Sequence, residues 1–201
     1  MRVFGIDPGS ERTGYGCVET DGRRHHFVSC GVVQAGSADT FPQRLARIYH
    51  ELAARLSACR PDYVVVESLF HAQNARSAIR LGHARGVALL AAVDAGCQVV
   101  EYTPAEVKRA VVGYGRAEKH QVQQMIKLLL GLPRVPSPHD AADALAVAIC
   151  HVHSMPAARL AVQLKPDTSH ADGRVRLQPG MTYARSTRLP RSWRQYRPPP
   201  R

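Results

Sequence analysis

The sequence predicts an α/β domain built on a mixed five-stranded sheet that opens with an antiparallel meander. Three strand-like runs come first, at residues 2–7, 13–20 and 25–33, and the turn signal Asp21-Gly22 separates the last two. Helical and strand-like segments then alternate, as they do where helices connect neighbouring strands of a sheet. The predicted order is therefore β-β-β-α-β-α-β-α-α-α.

Apolar periodicity and capping residues define the remaining elements. Pro61 ends the first helix, and Gly96 is typical of the residue that follows a helix C-terminus. Thr103 and Pro104, with Glu106 three residues after the threonine, predict a capping box at the start of another helix. The expected elements are a helix over residues 41–60, a strand over 62–67, a helix over 74–95, a strand over 97–102, a helix from Thr103-Pro104, a helix over 118–130 and a helix from Asp140 to about His153.

The positive charge of the chain is concentrated at its C-terminal end. The formal net charge is +11; residues 1–157 hold 17 Lys/Arg against 14 Asp/Glu, and residues 158–201 hold 10 against 2. We therefore expect one folded domain over residues 1–157 and a basic, disordered tail over residues 158–201. A basic tail can bind nucleic acid through its phosphates, and a solubilising extension has the same composition.

Composition also bears on the cellular compartment. No apolar run approaches the roughly 18 residues that a membrane span needs, and the start lacks the layout of a signal peptide. We expect a cytoplasmic protein with no membrane association. The five cysteines are scattered and form no C-x-x-C pair, so we expect reduced, mostly buried thiols.

Four carboxylates lie at the ends of predicted elements. Asp7 and Glu67 each end a strand, and Asp140 and Asp143 share one face at the start of the last helix. Singly, the aspartates could cap a turn or complement a helix dipole, whereas Glu67 follows a buried run and needs a partner or a metal. Together they indicate one cation site. Mg²⁺ prefers oxygen ligands, and two such ions can activate a water and stabilise the leaving oxygen of a phosphodiester.

Three side chains near these acids are candidates for contact with nucleic acid. Lys108 and Lys119 flank the glycine-containing turn at residues 113–115, which suits a phosphate backbone, although two solvated helix lysines would show the same pattern. Phe70 could stack on an unpaired base or pack in the core. His139 adjoins the acids and could assist them, or it could simply be an exposed loop histidine.

Two glycines on the long helix leave a flat stripe. Gly82 and Gly86 are four residues apart and so lie on the same helix face. The stripe permits close approach of a helix across a two-fold axis or packing onto the sheet of the same chain. The sequence leaves both arrangements open.

A series of motifs runs in order through about residues 2–153. They are Gly5-Ile6-Asp7-Pro8-Gly9-Ser10, Thr13-Gly14-Tyr15-Gly16, Val66-Glu67-Ser68-Leu69-Phe70, Leu81-Gly82-His83-Ala84-Arg85-Gly86, Val107-Lys108, the run from Val111 to Lys119, and Asp140-Ala141-Ala142-Asp143-Ala144-Leu145-Ala146. In this combination they resemble the RuvC-type Holliday junction resolvases. The tail departs from that pattern, since it is longer and more basic than the family core requires.

The resemblance implies an RNase H-like fold with helices on both faces of the sheet. It also implies a homodimer that nicks two strands of a four-way DNA junction symmetrically, in homologous recombination and DNA repair. The implied cofactor is Mg²⁺, with Mn²⁺ as a substitute and two ions per active site, and the implied partner is the RuvA–RuvB branch-migration complex. The family's catalytic and metal-binding acids correspond to Asp7, Glu67, Asp140 and Asp143, and its DNA-contacting residues to Phe70, Lys108 and Lys119.

Three other functions compete with this one. An actin- or Hsp70-like ATPase also begins with strand-Asp-x-Gly, which Asp7 and Gly9 match, but it needs two related lobes and the chain has no second such motif. A non-catalytic junction- or RNA-binding protein of the same fold would tolerate Asp7→Asn. A related nuclease that acts on RNA would prefer an RNA–DNA hybrid to a four-way DNA junction.

Overall fold

The computed structural model describes residues 1–34, 36, 38–68 and 74–155, and the predicted tail 158–201 and Phe70 lie outside these residues. The element order matches the prediction, and each boundary that was predicted lies within one residue of the observed position. The strands and helices are β1 Arg2–Asp7, β2 Arg12–Thr20, β3 His25–Gln34, α1 Phe41–Cys59, β4 Tyr63–Glu67, α2 Ala75–Asp94, β5 Gln98–Tyr102, α3 Pro104–Val112, α4 Lys119–Leu129 and α5 His139–Ser154.

The five described strands form one mixed sheet in the order β3-β2-β1-β4-β5. The meander β1-β2-β3 is antiparallel, whereas β4 runs parallel to both β1 and β5. The first strand of the chain thus lies at the centre of the sheet, where it joins the antiparallel half to the parallel half. The predicted fold class is confirmed.

Helices cover both faces of the sheet because side chains alternate along each strand. Phe4 and Val66 point to one face and pack with α1 and α2. Val3 and Val65 point to the other face, which α3, α4 and α5 cover and which we call the α5 face. Within the described ranges, no helix is long and apolar enough to cross a membrane.

Local sequence signals set the helix and turn boundaries. The predicted capping box is present: the Thr103 amide donates to Glu106 Oε2 over 2.7 Å, and the Glu106 amide donates to Thr103 Oγ1 over 3.3 Å. Gly96 has a φ of +73°, a left-handed conformation that suits glycine just past the end of α2. At the predicted hairpin turn, Gly22 has a φ of +90°.

Helix α5 lies unusually close to β1 and β2 because the strands present glycine to it. A Cβ atom on Gly5 would lie 2.0 Å from the Ala144 carbonyl oxygen, and one on Gly14 would lie 2.0 Å from the Asp140 carbonyl oxygen. Gly16 faces the same helix. No side chain fits between sheet and helix at these points, so the glycines set the position of α5.

The cysteine expectation is wrong for one pair. The structure joins Cys17 and Cys59 in a disulfide, with Cα atoms 7.4 Å apart, a wider separation than most disulfides have. Cys30, Cys97 and Cys150 are free, and Cys150 is buried.

Substitution of Gly5 tests the role of the close helix–sheet packing. Gly5→Ala is expected to lower the free energy of unfolding by about 1–3 kcal/mol or more, because the methyl group meets the backbone of α5. Gly115→Ala is the control, since its Cβ would have no neighbour nearer than 3.4 Å among the residues that the structure describes. Urea unfolding followed by circular dichroism measures both. Equal midpoints for the two variants would contradict the packing argument.

Candidate active site

Adjacent parallel strands bring Asp7 and Glu67 to one edge of the sheet. Ile6 pairs with Val66 in the parallel register of β1 and β4, and the two acids occupy the next position on each strand. Since Ile6 and Val66 pack on the α1/α2 side, alternation turns both acids toward the α5 face. The two carboxylates therefore sit side by side beneath the start of α5.

Helix α5 supplies the other two acids. Gly14 pairs with Asp7 across β1 and β2, and the backbone of Asp140 lies directly against Gly14. Asp143 follows one turn later on the same helix face. The close packing on glycine thus puts the first turn of α5 over the strand end that carries Asp7.

The acids are close enough to perturb one another. Burial raises the pKa of Asp7 to about 7, and the negative charges of Glu67, Asp143 and Asp140 add to the shift. Burial and the charge of Asp143 likewise raise the pKa of Glu67. Clustered carboxylates in a partly dry site need positive charge nearby if all are to be ionised.

Two cations of the chain meet this need in part. The Lys119 ammonium lies 2.5 Å from Asp143 Oδ2, and Arg12 Nε lies 2.8 Å from Asp140 Oδ2. Burial disfavours the charged form of Lys119, but the hydrogen bond and charge of Asp143 outweigh it and raise the lysine pKa. No local sequence pattern indicates the contact of Arg12 with Asp140, because 128 positions separate the two residues.

A cleft of about 190 Å³ connects the acids to both predicted DNA-contacting lysines. Glu67 and Asp143 line it, together with Lys108 from α3 and Lys119 from the start of α4. The positive charges of Lys108 and Lys119 oppose the rise in the pKa of Glu67. The cleft therefore brings together two acids and two lysines that are spread over 77 positions of the sequence, from Glu67 to Asp143.

The donor set fits a hard divalent cation, although the side chains do not converge on one point. In the described part of the chain, no three His, Cys, Asp or Glu side chains are grouped closely enough to hold a metal ion. Lys119 and Arg12 instead neutralise Asp143 and Asp140. The four acids offer only oxygen ligands, which is the chemistry that Mg²⁺ prefers.

Two other candidates have different surroundings. Phe70 lies outside the described residues, so its predicted role stays a prediction. His139 Nδ1 lies 2.9 Å from Nε2 of the buried Gln123.

An apolar stripe runs along the outer side of α2. Its members recur at helical spacing, and we call them the α2 stripe. Three are large and exposed, with relative accessibilities of 52–62%, and a Cβ on either glycine would meet no atom of the described residues within 4 Å. The glycines therefore face away from the sheet, and packing within the described part of the chain does not explain them. The stripe comprises Ile79, Gly82, Gly86, Leu90 and Val93.

Comparison with known proteins gives one consistent result. The family model described as crossover junction endodeoxyribonuclease RuvC matches residues 3–151. A relative with that description from Koribacter versatilis is 52% identical over 155 residues, which cover 77% of this chain and 93% of the relative. The structure of Thermus thermophilus RuvC superposes with a TM-score of 0.72 at 35% identity, over 80% of this chain and 97% of that one. The structure of T. thermophilus RuvC in complex with Holliday junction substrate gives a TM-score of 0.69 at 34% identity, over 76% and 93%.

Proposed function

The chain belongs to the RuvC family of crossover junction endodeoxyribonucleases, and from that premise we propose that it resolves Holliday junctions by metal-dependent cleavage. The substrate is a four-way DNA junction, as in the complex of the T. thermophilus relative. The reaction hydrolyses one phosphodiester in each of two strands, in homologous recombination and DNA repair.

One observation supports this function above all others: a half-buried cluster of four acids adjoins a cleft that Glu67 and Asp143 share with two lysines. Burial raises the pKa of Asp7 to about 7, and the negative charges of the neighbouring carboxylates add to the shift, so the site is short of positive charge. Phosphodiester hydrolysis needs cations beside the scissile phosphate, and an acidic cluster is what attracts them. The adjoining lysines offer a second, metal-independent attraction for the DNA backbone.

The proposed cofactor is Mg²⁺, or Mn²⁺ in its place, with two ions per active site. Asp7, Glu67, Asp140 and Asp143 would hold them through carboxylate oxygens. When bound, the ions supply an activated water and stabilise the leaving oxygen. The acids would act as ligands that fix the ions, and the position of Asp7 and Glu67 at the ends of β1 and β4, where both are half-buried, limits how far their side chains can move.

Lys108 and Lys119 are proposed to bind the DNA backbone next to the scissile phosphate. Both border the cleft that Glu67 and Asp143 line. Phe70 is proposed to stack on a base near the junction centre, which rests on the family correspondence and its position three residues after Glu67.

The α2 stripe is proposed to form the homodimer interface. Paired nicks in a two-fold junction require two active centres, and one domain supplies one centre. Ile79, Leu90 and Val93 offer exposed apolar side chains, and the intervening glycines allow the two copies of α2 to approach closely. An isologous contact of helix against helix would satisfy all of these conditions.

Further proposals rest on family membership and composition. The RuvA–RuvB branch-migration complex is the proposed partner, and the cytoplasm, where bacterial DNA lies, is the proposed location. The division into a nuclease domain over residues 1–157 and a basic tail over residues 158–201 agrees with the match to the family model at residues 3–151.

The acids can be tested with a synthetic four-way junction. The wild-type chain is expected to nick it in Mg²⁺ and not in EDTA, and Asp143→Asn should lower cleavage by at least about 100-fold, a typical scale for loss of a catalytic group. Binding of the junction should be retained or tightened, since a negative charge facing the phosphates is removed. Glu51→Gln is the control, because this carboxylate lies on α1 in an ion pair with Arg55. Cleavage that persists in EDTA would overturn the mechanism.

The lysines can be tested by the salt dependence of junction binding. Lys108→Ala is expected to weaken binding and to reduce the slope of log K against log [salt] by about one, as loss of a single phosphate contact does. Lys127→Ala is the matched control, since Lys127 lies in the last turn of α4, away from the cleft. Unchanged slopes for Lys108→Ala would refute the phosphate contact.

The interface can be tested by placing a charge in the α2 stripe. Leu90→Glu is expected to convert a dimer to a monomer, because two carboxylates would meet across the two-fold axis without partners. Leu128→Glu is the control, since Leu128 is even more exposed but lies on α4. Sedimentation velocity measures the mass of each variant. A wild-type chain that is monomeric at high concentration would contradict the proposal.

A further inference from the structure

A pair of histidines lies at the end of α5 far from the acids. His153 is in the last turn of α5 and His25 begins β3, and their Nε2 atoms are 3.2 Å apart. Asp140 lies 13 residues before His153, which is about 20 Å along a helix that rises 1.5 Å per residue. The pair is therefore separate from the candidate active site.

The Nδ1 partner of His153 determines the state of that ring. His153 Nδ1 lies 2.8 Å from the Ala110 carbonyl oxygen, which can only accept a hydrogen bond. Nδ1 therefore carries the proton when the ring is neutral. The Nε2 lone pair of His153 then points at His25.

The surroundings of His25 can accommodate either of its neutral tautomers. His25 Nδ1 lies 2.9 Å from Thr20 Oγ1, and that hydroxyl also lies 3.0 Å from the Arg24 carbonyl oxygen. In one arrangement, Thr20 donates to Nδ1 and His25 donates through Nε2 to His153. In the other, His25 donates through Nδ1 to Thr20 Oγ1, and the hydroxyl turns to donate to Arg24. The second arrangement leaves a free lone pair on each Nε2 atom, and both rings keep their one proton at Nδ1.

In this second arrangement the two Nε2 atoms, each with a free lone pair, are 3.2 Å apart. This distance is close to the spacing of two ligand nitrogens on a tetrahedral metal ion. Zn–N bonds of 2.0–2.1 Å at a tetrahedral angle put two ligand nitrogens about 3.3–3.4 Å apart. We propose that His25 and His153 form a two-histidine binding site for a borderline divalent transition-metal ion, of which Zn²⁺ is the test case. Carbonyl and hydroxyl partners on Nδ1 are also the contacts that orient metal-binding histidines in proteins.

The site is an open one. Among the described residues, no third His, Cys, Asp or Glu joins the pair, so water or an external ligand completes the coordination sphere. The bound ion would tie the start of β3 to the end of α5 at the edge of the sheet opposite Asp7. Burial, followed by the positive charges of His153 and His26, lowers the pKa of His25, and Asp21 only partly opposes this. The His25 ring is thus neutral near pH 7, as a metal ligand must be.

Ligand chemistry separates this site from the acidic cluster. Imidazole nitrogen suits Zn²⁺, Ni²⁺ and Cu²⁺, whereas carboxylate oxygen suits Mg²⁺. Excess Mg²⁺ should therefore occupy the carboxylates while it leaves the histidines available.

Calorimetric titration of Zn²⁺ into the full-length chain in excess Mg²⁺ tests the proposal. The wild-type chain is expected to bind one more Zn²⁺ per protomer than His153→Gln, or to bind it at least about tenfold more tightly. His25→Gln should have the same effect, since each variant removes one of two ligands. His120→Gln is the matched control, because His120 is exposed and its ring nitrogen faces Glu118. Cleavage of a junction in Mg²⁺ should be unchanged in all three variants.

Two further measurements make the result decisive. Urea unfolding of the zinc-free variants shows whether a loss of binding reflects a loss of fold. Imidazole ¹⁵N NMR of the wild-type chain should show His25 protonated at Nδ1 once Zn²⁺ is added, as the second tautomer requires. Equal zinc binding by His153→Gln and wild type, or loss of binding in only one of the two histidine variants, would overturn the proposal.

Discussion

The close packing of α5 on glycine is the constraint on which the candidate active site depends. A side chain at Gly5 or Gly14 would occupy the space where the backbone of α5 lies. With glycine there, the helix approaches the central strand directly and its first turn comes to rest over the end of β1. Asp7, Asp140 and Asp143 can share one site only because the strands present glycine, and no larger side chain, where the start of the helix crosses them.

This proximity has an electrostatic cost, which the protein offsets only in part. Burial and neighbouring negative charge raise the pKa of Asp7 to about 7. Arg12 and Lys119 each pair with one helix aspartate, whereas Asp7 and Glu67 remain in a cluster that is short of positive charge. An acidic site that its own chain neutralises only in part attracts divalent cations. Membership of the RuvC family indicates which reaction those cations would assist.

Local physics explains why the sequence predicted the elements to within one residue. Strand alternation, the Thr103–Glu106 capping box and Gly96 after α2 act over a few positions and can be read directly from the chain. Contacts between positions far apart in the sequence have no local pattern from which they could be predicted. The pair of Arg12 with Asp140 spans 128 positions and the Cys17–Cys59 bond spans 42, and neither was predicted. Similarly, the spacing of the α2 glycines showed that they share a face, but only the tertiary structure shows that this face points outward.

The two faces of the sheet divide the proposed tasks between them. Helix α2 packs on the face opposite α5, and its apolar stripe points away from the sheet. Asp7 and Glu67 turn toward the α5 face, where Lys108 and Lys119 border the cleft. Dimerisation through α2 would therefore bury apolar surface without covering either cleft. Two active centres, each open to a DNA strand and related by a two-fold axis, are what symmetric cleavage of a four-way junction requires.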